Sequence, residues 1–209
     1  MQMKHEPKRP GANERGQPEV RWCGYRSPLG PMRLVARGDA LAGLYFDGQK
    51  YDVEIGEGWS ESPRDPVLRE AMRELDEYFA GCRVRFEVKL APQGTGFQRA
   101  VWRAIAAVPA GRTISYAELA RRAGSPSAVR AAGAATGRNP LSIIVPCHRI
   151  VGSSGSLTGY AGGLRRKVAL LALEGGEGSG RGVEVRASAR RSRSPKPSGA
   201  ADPAPPRSR

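Results

Sequence analysis

Cysteine and histidine are the scarce residues of this 209-residue chain, which has three of the first (Cys23, Cys82, Cys147) and two of the second (His5, His148). Three unevenly spaced thiols make no disulfide framework, so a reducing cytoplasm is the expected home and a reactive thiol stays free there. In the N-terminal half a metal would find only Cys23, Cys82 and the tail residue His5, too few for a tetrahedral site, so no metal and no cofactor is expected. Apolar runs are broken by Gly, Pro or charge well short of the roughly 20 residues of a membrane span, and no secretion-type order of basic, apolar and small residues opens the chain. A soluble, unsecreted protein with no membrane partner is the expectation.

Acidic residues are also scarce, but only in part of the chain. The formal charge of +14 divides into +2 over residues 1–18, −2 over 19–90, +9 over 91–175 and +5 over 176–209. Within 91–175 eleven Lys and Arg face only Glu118 and Glu174, which makes that segment the candidate for polyanion contact. The last segment is Gly, Ser, Pro and Arg with almost nothing apolar, so it reads as a disordered basic tail. Such a tail is either a solubilising extension or an auxiliary attraction to DNA. Residues 1–18 read as a second disordered tail, which leaves two domains at 19–90 and 91–175.

Strand-like pieces at Trp22–Tyr25, Met32–Ala36 and Leu41–Phe46 are punctuated by Pro28, Gly30 and Gly38. Leu68, Met72, Leu75 and Phe79 make one apolar stripe, predicting a helix over 66–80 that Gly81 ends. Arg83–Leu90 alternates like another strand. These residues predict a small α+β unit with no chemical constellation, a scaffold.

Residues 91–94 read as the linker to a mainly helical half. Thr95 suits the cap of a helix whose buried stripe is Phe97, Val101, Ile105 and Val108. Ser115 and Glu118 have capping-box spacing at the start of a helix over 116–122. Ser125 and Pro126 suit the N-cap and first position of another helix running to about Thr136. Helix, Gly-containing turn and helix make a helix-turn-helix pattern. The second helix, including Ala128, Arg130, Ala131 and Gly133, has one long side chain among tiny ones. An Ala/Gly surface either packs against a neighbouring helix or enters a minor groove with Arg130 pushed into the base stack.

In Ile143–Val151 a thiol and an imidazole stand side by side between two apolar runs that look like buried strands. Unpaired polar groups are costly inside, so the chain brings Cys147 and His148 to a wall or cleft. A free thiol titrates near ~8.5 and needs a base or cation to become a nucleophile at neutral pH.

With Pro146-Cys147-His148-Arg149 following Asn139-Pro140, the sequence resembles the O6-alkylguanine-DNA alkyltransferases (methylated-DNA-protein-cysteine methyltransferases). The likeness extends through Phe97–Trp102, Thr113–Tyr116, Arg130, Thr158–Gly163 and Leu171–Gly175, and more loosely through the N-terminal half. It implies a small ribonuclease H-like α/β domain followed by a mainly helical, winged-helix-like domain with a helix-turn-helix. It also implies DNA repair by direct reversal. The alkyl group of O6-alkylguanine, and of O4-alkylthymine, moves irreversibly to Cys147, one base per molecule.

The resemblance further assigns roles. His148 draws the thiol proton through a water and Glu174 orients the imidazole. The Tyr116 hydroxyl faces the base, while Tyr160, Thr158 and backbone groups near Ala161 and Val151 form the guanine pocket. Arg130 fills the space of a flipped nucleotide, with Ser115, Ala128, Ala131 and Gly133 against the DNA. Asn139 bridges backbone groups between the DNA-binding helix and the cysteine segment. The implied partner is double-stranded DNA containing alkylated guanine, met by a monomer in the nucleoid-associated cytoplasm. Ser142 and Thr158 vary among such proteins, leaving the preferred alkyl size open. Two other readings compete: a non-catalytic alkylguanine binder that signals to repair factors, and a helix-turn-helix regulator whose Cys/His pair is structural.

Overall fold

The computed structural model describes residues 19–175; both expected tails, 1–18 and 176–209, lie outside the described residues. Strands β1 (Val20–Ser27), β2 (Gly30–Arg37) and β3 (Ala40–Phe46) run antiparallel in succession. A short β4 (Ser60–Glu61), which the sequence does not announce, joins parallel to β1, giving the order β3-β2-β1-β4. Two tight turns set this register: Ser27 pairs with Gly30 and Arg37 with Ala40, and Gly38, central in the second turn, takes the positive φ that glycine allows.

Helix α1 (Pro66–Phe79) crosses the sheet, started by Asp65, whose carboxylate accepts from Leu68 N at 3.1 Å. Its buried face is Leu68, Ala71, Glu74, Leu75 and Tyr78, with Met72 and Phe79 only partly buried. The face is therefore turned from the apolar stripe expected. Two polar residues turn inward because each meets a partner. Glu74, fully buried, accepts from the backbone N–H of Glu87 (2.9 Å) and Val88 (3.2 Å). Those donors are the ones a ladder would use, so the strand expected over Arg83–Leu90 does not form. Only Leu90 bridges to Leu41.

In the second half α2 (Gly96–Ala106) begins with the full capping box of Thr95 and Gln98. Strand β5 (Ile114–Ser115) leads into α3 (Tyr116–Arg122), where Ser115 Oγ accepts from Glu118 N at 3.1 Å. The box is half made, because the Glu118 carboxylate is taken by Arg121 and Arg122. Helix α4 (Val129–Gly137) starts later than Ser125 and Pro126 suggest. Ser125 N still donates to Ala120 O (2.9 Å), closing the end of α3, and Ala128 N to Ser125 O (2.9 Å), so the backbone is free to begin a helix only after Ala128. Helices α2, α3 and α4 pack on one another. A single 3₁₀ turn (Cys147–Arg149), β6 (Ile150–Val151), parallel to β5, and α5 (Leu164–Leu173) complete the chain.

The halves share one core, and buried side chains from both form a continuous cluster. The free edge of β3 grips the segment before the cysteine: Leu44 N donates to Pro140 O (2.8 Å) and Ser142 N to Leu44 O (2.9 Å). Among the described residues no helix is long and apolar enough to cross a membrane.

Candidate active site

Residues Ile143–Val145 are buried, but as a turn and not the strand expected of an apolar run. Ile143 has φ of 71°, an unfavourable angle for a β-branched residue. Asn139 sits inside the turn and explains how it holds. Its Nδ2 donates to Val145 O (2.7 Å), to Leu141 O (3.3 Å) and to Cys147 Sγ (3.2 Å), while its Oδ1 accepts from Leu141 N (3.0 Å). Asn139 thus touches the sulfur as well as the backbone around it. Burial pushes the Cys147 thiol up, against the Asn139 hydrogen bond and the charge of Lys167.

His148, the next residue, is fully buried. Its Nε2 lies 2.9 Å from Glu174 Oε1, while Nδ1 is buried without a protein partner. With Nε2–H donating to the carboxylate, the Nδ1 lone pair is left to accept. Glu174 is the C-cap of α5. Arg149 Nη2 and Nε reach its two oxygens at 2.7 and 2.8 Å, and Arg149 also donates to Val108 O. Burial raises the Glu174 carboxyl, but the bonds from His148 and Arg149 more than offset it and hold it at about 2. Burial lowers the His148 pKa, with Glu174 opposing. The resting pair is therefore thiol and neutral imidazole.

Two contributors escape sequence reading. Lys167, counted with the basic surface by its charge, is fully buried and donates to Ile150 O (2.6 Å) and Thr158 O (3.1 Å). Burial lowers its pKa to about 8, and the Cys147 sulfur is near enough to oppose that. Arg149 is likewise buried, so the basic outer surface is smaller than the count predicts. The second contributor is Tyr78 of α1, whose hydroxyl donates to Glu174 Oε1 at 2.9 Å. The spacing of Tyr78 within the helix offered a weak sign, because it lies on the same face as Leu68, Ala71 and Leu75.

A cavity of about 290 Å³ reaches Cys147. Tyr116, Gly159, Tyr160 and Ala161 line it together with Gly133, Ala134, Thr136 and Gly137 of α4. Lys50 and Tyr51 of the N-terminal half close the rim, a contribution the sequence gave no reason to expect. The Tyr116 hydroxyl donates to Thr158 O at 3.2 Å. That of Tyr160 is buried without a protein hydrogen bond, and the Ser142 hydroxyl beside it donates to Gln49 Oε1 (3.1 Å). Ala161 O accepts from Lys50 N (3.0 Å). Val151 is not among the lining residues; it pairs with Ser115 behind the wall. Arg130 and Ala131 are exposed on α4, and Ala128 and Gly133 half-buried. Among the described residues no three Cys, His, Asp or Glu side chains come together as a metal site.

Comparison with known proteins agrees with this arrangement. Residues 20–92 match the family described as 6-O-methylguanine DNA methyltransferase, ribonuclease-like domain, and residues 96–176 match its DNA binding domain. A methylated-DNA–protein-cysteine methyltransferase of Methanosarcina acetivorans is 47% identical over 151 residues, 72% of this chain and 96% of the relative. One of Mycolicibacterium paratuberculosis is 47% identical over 148 residues, 71% of this chain and 88% of the relative. The crystal structure of Mycobacterium tuberculosis OGT in complex with DNA is 44% identical, with a TM-score of 0.67 over 74% of this chain and 92% of that one. Sequence likeness at this level over both halves, together with a shared fold, shows that the chain belongs to the methylated-DNA–protein-cysteine methyltransferase family.

Proposed function

We propose that Cys147 is the alkyl acceptor of a single-turnover DNA repair reaction, with His148 as its base and Glu174 as the orienting carboxylate. The protein repairs DNA by direct reversal, taking the alkyl group from O6-alkylguanine onto its own cysteine. The observation that carries the assignment is the placement of the sulfur: Cys147 lines the cavity, while the next residue, His148, is a buried imidazole with one nitrogen unbonded and the other tied to a carboxylate.

The thiol is protonated at rest, so its proton must leave as the bond to carbon forms. His148 Nδ1 takes that proton through one bridging water, and Nε2–H to Glu174 stabilises the imidazolium that results. Sulfur attacks the alkyl carbon in line, the C–O6 bond breaks, and the departing purine keeps the electron pair. Tyr116, which lines the cavity, donates its hydroxyl to the leaving base in place of Thr158 O. The product is a thioether that no group in the site can hydrolyse, so each molecule acts once.

A base within a duplex cannot reach a sulfur at the end of this cavity, so the nucleotide is flipped out. Arg130, exposed on α4, fills the vacated stack, with Ala128, Ala131 and Gly133 lying in the minor groove and Ser115 at the neighbouring helix start. Tyr160, Ala161 and the backbone at Gly159, all lining the cavity, hold the guanine edge; O4-alkylthymine is the second substrate. In this reading residues 19–90 are a scaffold domain and 91–175 the transferase domain. The protein acts as a monomer in the compartment that holds the DNA, the cytoplasm.

Intact mass after mixing with a duplex containing O6-methylguanine tests the assignment. One added methyl group, mapped to Cys147 and absent in Cys147→Ser, is expected. A chain that binds the duplex but gains no mass would be the signalling binder, and sequence-specific binding that survives Cys147→Ala with no repair to lose would be the regulator.

A further inference from the structure

We propose that Tyr78, on α1 in the N-terminal half, is a positioning residue for the alkyl transfer, acting through the Glu174 oxygen that His148 also uses. The inference rests on the base role assigned above to His148. Glu174 Oε1 receives three donors: His148 Nε2 at 2.9 Å, Arg149 Nη2 at 2.7 Å and the Tyr78 hydroxyl at 2.9 Å. Oε2 receives Arg149 Nε at 2.8 Å. Tyr78 comes from 96 residues earlier in the chain and is only 3% exposed. Its ring is fixed by Phe79 and Phe86, at centroid distances of 5.4 and 5.6 Å, so the hydroxyl is delivered by packing of the N-terminal half.

Physical consequences follow from which oxygen is used. A neutral donor on Oε1 draws charge away from the atom that accepts from His148, which limits how strongly the carboxylate favours imidazolium. Burial and the adjacent carboxylate push the Tyr78 hydroxyl pKa up, so it remains a donor throughout the working range. The other groups that set the His148 charge are Glu174, which favours it, and Arg149 and Lys167, which oppose it. The Tyr160 ring packs edge-on at 6.5 Å, and Cys147 adjoins. Removing the Tyr78 donor leaves Oε1 richer in charge, so His148 holds a proton to higher pH and becomes a competent base later. With one neutral hydrogen bond lost, the transfer rate on the acid limb is expected to fall about fivefold, while the rate near neutral pH changes little.

The test is the pH profile of single-turnover alkyl transfer for wild type and Tyr78→Phe, with duplex affinity and melting temperature measured on the same samples. The acid limb should move to higher pH in Tyr78→Phe with duplex affinity unchanged. A variant with 3-fluorotyrosine at 78 keeps the shape and strengthens the donor, so its limb should move to lower pH; it serves also if Tyr78→Phe does not fold. An acid limb that stays in place in the variants overturns the proposal, whether the rate is unchanged or falls equally at all pH values with a lowered melting temperature. If wild type itself gains no alkyl group on Cys147, the transferase assignment fails instead, which separates the two claims.

Discussion

Burial makes Cys147 a reluctant acid and His148 a neutral base, and the two effects set how the protein responds to pH. Because the imidazole pKa is lowered by burial, the base form persists below the usual imidazole range. Alkyl-transfer rate should therefore hold through pH 6.5 and fall only at lower pH, as single-turnover rates across pH would show; a fall already beginning above 6.5 would mean an imidazole that is not desolvated. His148→Gln should slow transfer by about 10²–10⁴, the usual range for loss of a positioned base, with duplex affinity retained. Lys167 is a second lever, because its ammonium is close enough to lower the Cys147 pKa while it clasps the Thr158 carbonyl. Lys167→Met should slow transfer about tenfold, because the thiolate loses a nearby charge that favours it. Its duplex affinity should be unchanged, since Nζ faces inward; weaker binding in a gel-shift titration would return Lys167 to the DNA surface.

At the level of elements, α4 divides its two faces between core and solvent. Ala132, Ala135 and Thr136 are buried, while Arg130 and Ala131 are exposed. Arg130→Ala should weaken repair of duplex DNA more than reaction with the free alkylated base, and equal losses in the two rate measurements would remove its flipping role. The helices are legible in sequence because their signals are local: Thr95 as a cap, Ser115 with Glu118, and stripes repeating every three or four residues. Where the reading failed, a distant side chain had taken the backbone. Glu74 claims the amides of Glu87 and Val88, which cancels a strand that the alternation in Arg83–Leu90 suggests. Asn139 holds the turn at Ile143–Val145, which an apolar run cannot reveal. The start of α4 slipped because Ser125 was still serving α3.

Over the whole molecule, the N-terminal half is more than a platform. It supplies Tyr78 to the carboxylate, Lys50 and Tyr51 to the cavity rim, and the β3 edge that fixes Pro140–Ser142. None of these could be read from that half alone, because each acquires meaning only from the segment it meets. Charge counting has the same limit: it adds Lys167 and Arg149 to a basic segment, whereas both lie inside. The buried Glu174 cluster also ties fold to pH. Its carboxyl is held at about 2, below the ordinary 4.5, so its contribution to stability is present above pH 4.5 and is lost as pH falls toward 2. The difference in melting temperature between wild type and Glu174→Gln should accordingly shrink over that window; a gap that stays constant would show that the carboxylate is not ionised in the fold. The central claim is tested most directly by mass spectrometry of the protein and its peptides after one exposure to excess duplex carrying O6-methylguanine. A single methyl group on the peptide containing Cys147, with no second turnover, is predicted; unmodified Cys147 alongside repaired DNA, or a methyl group on Cys23 or Cys82, would contradict the account.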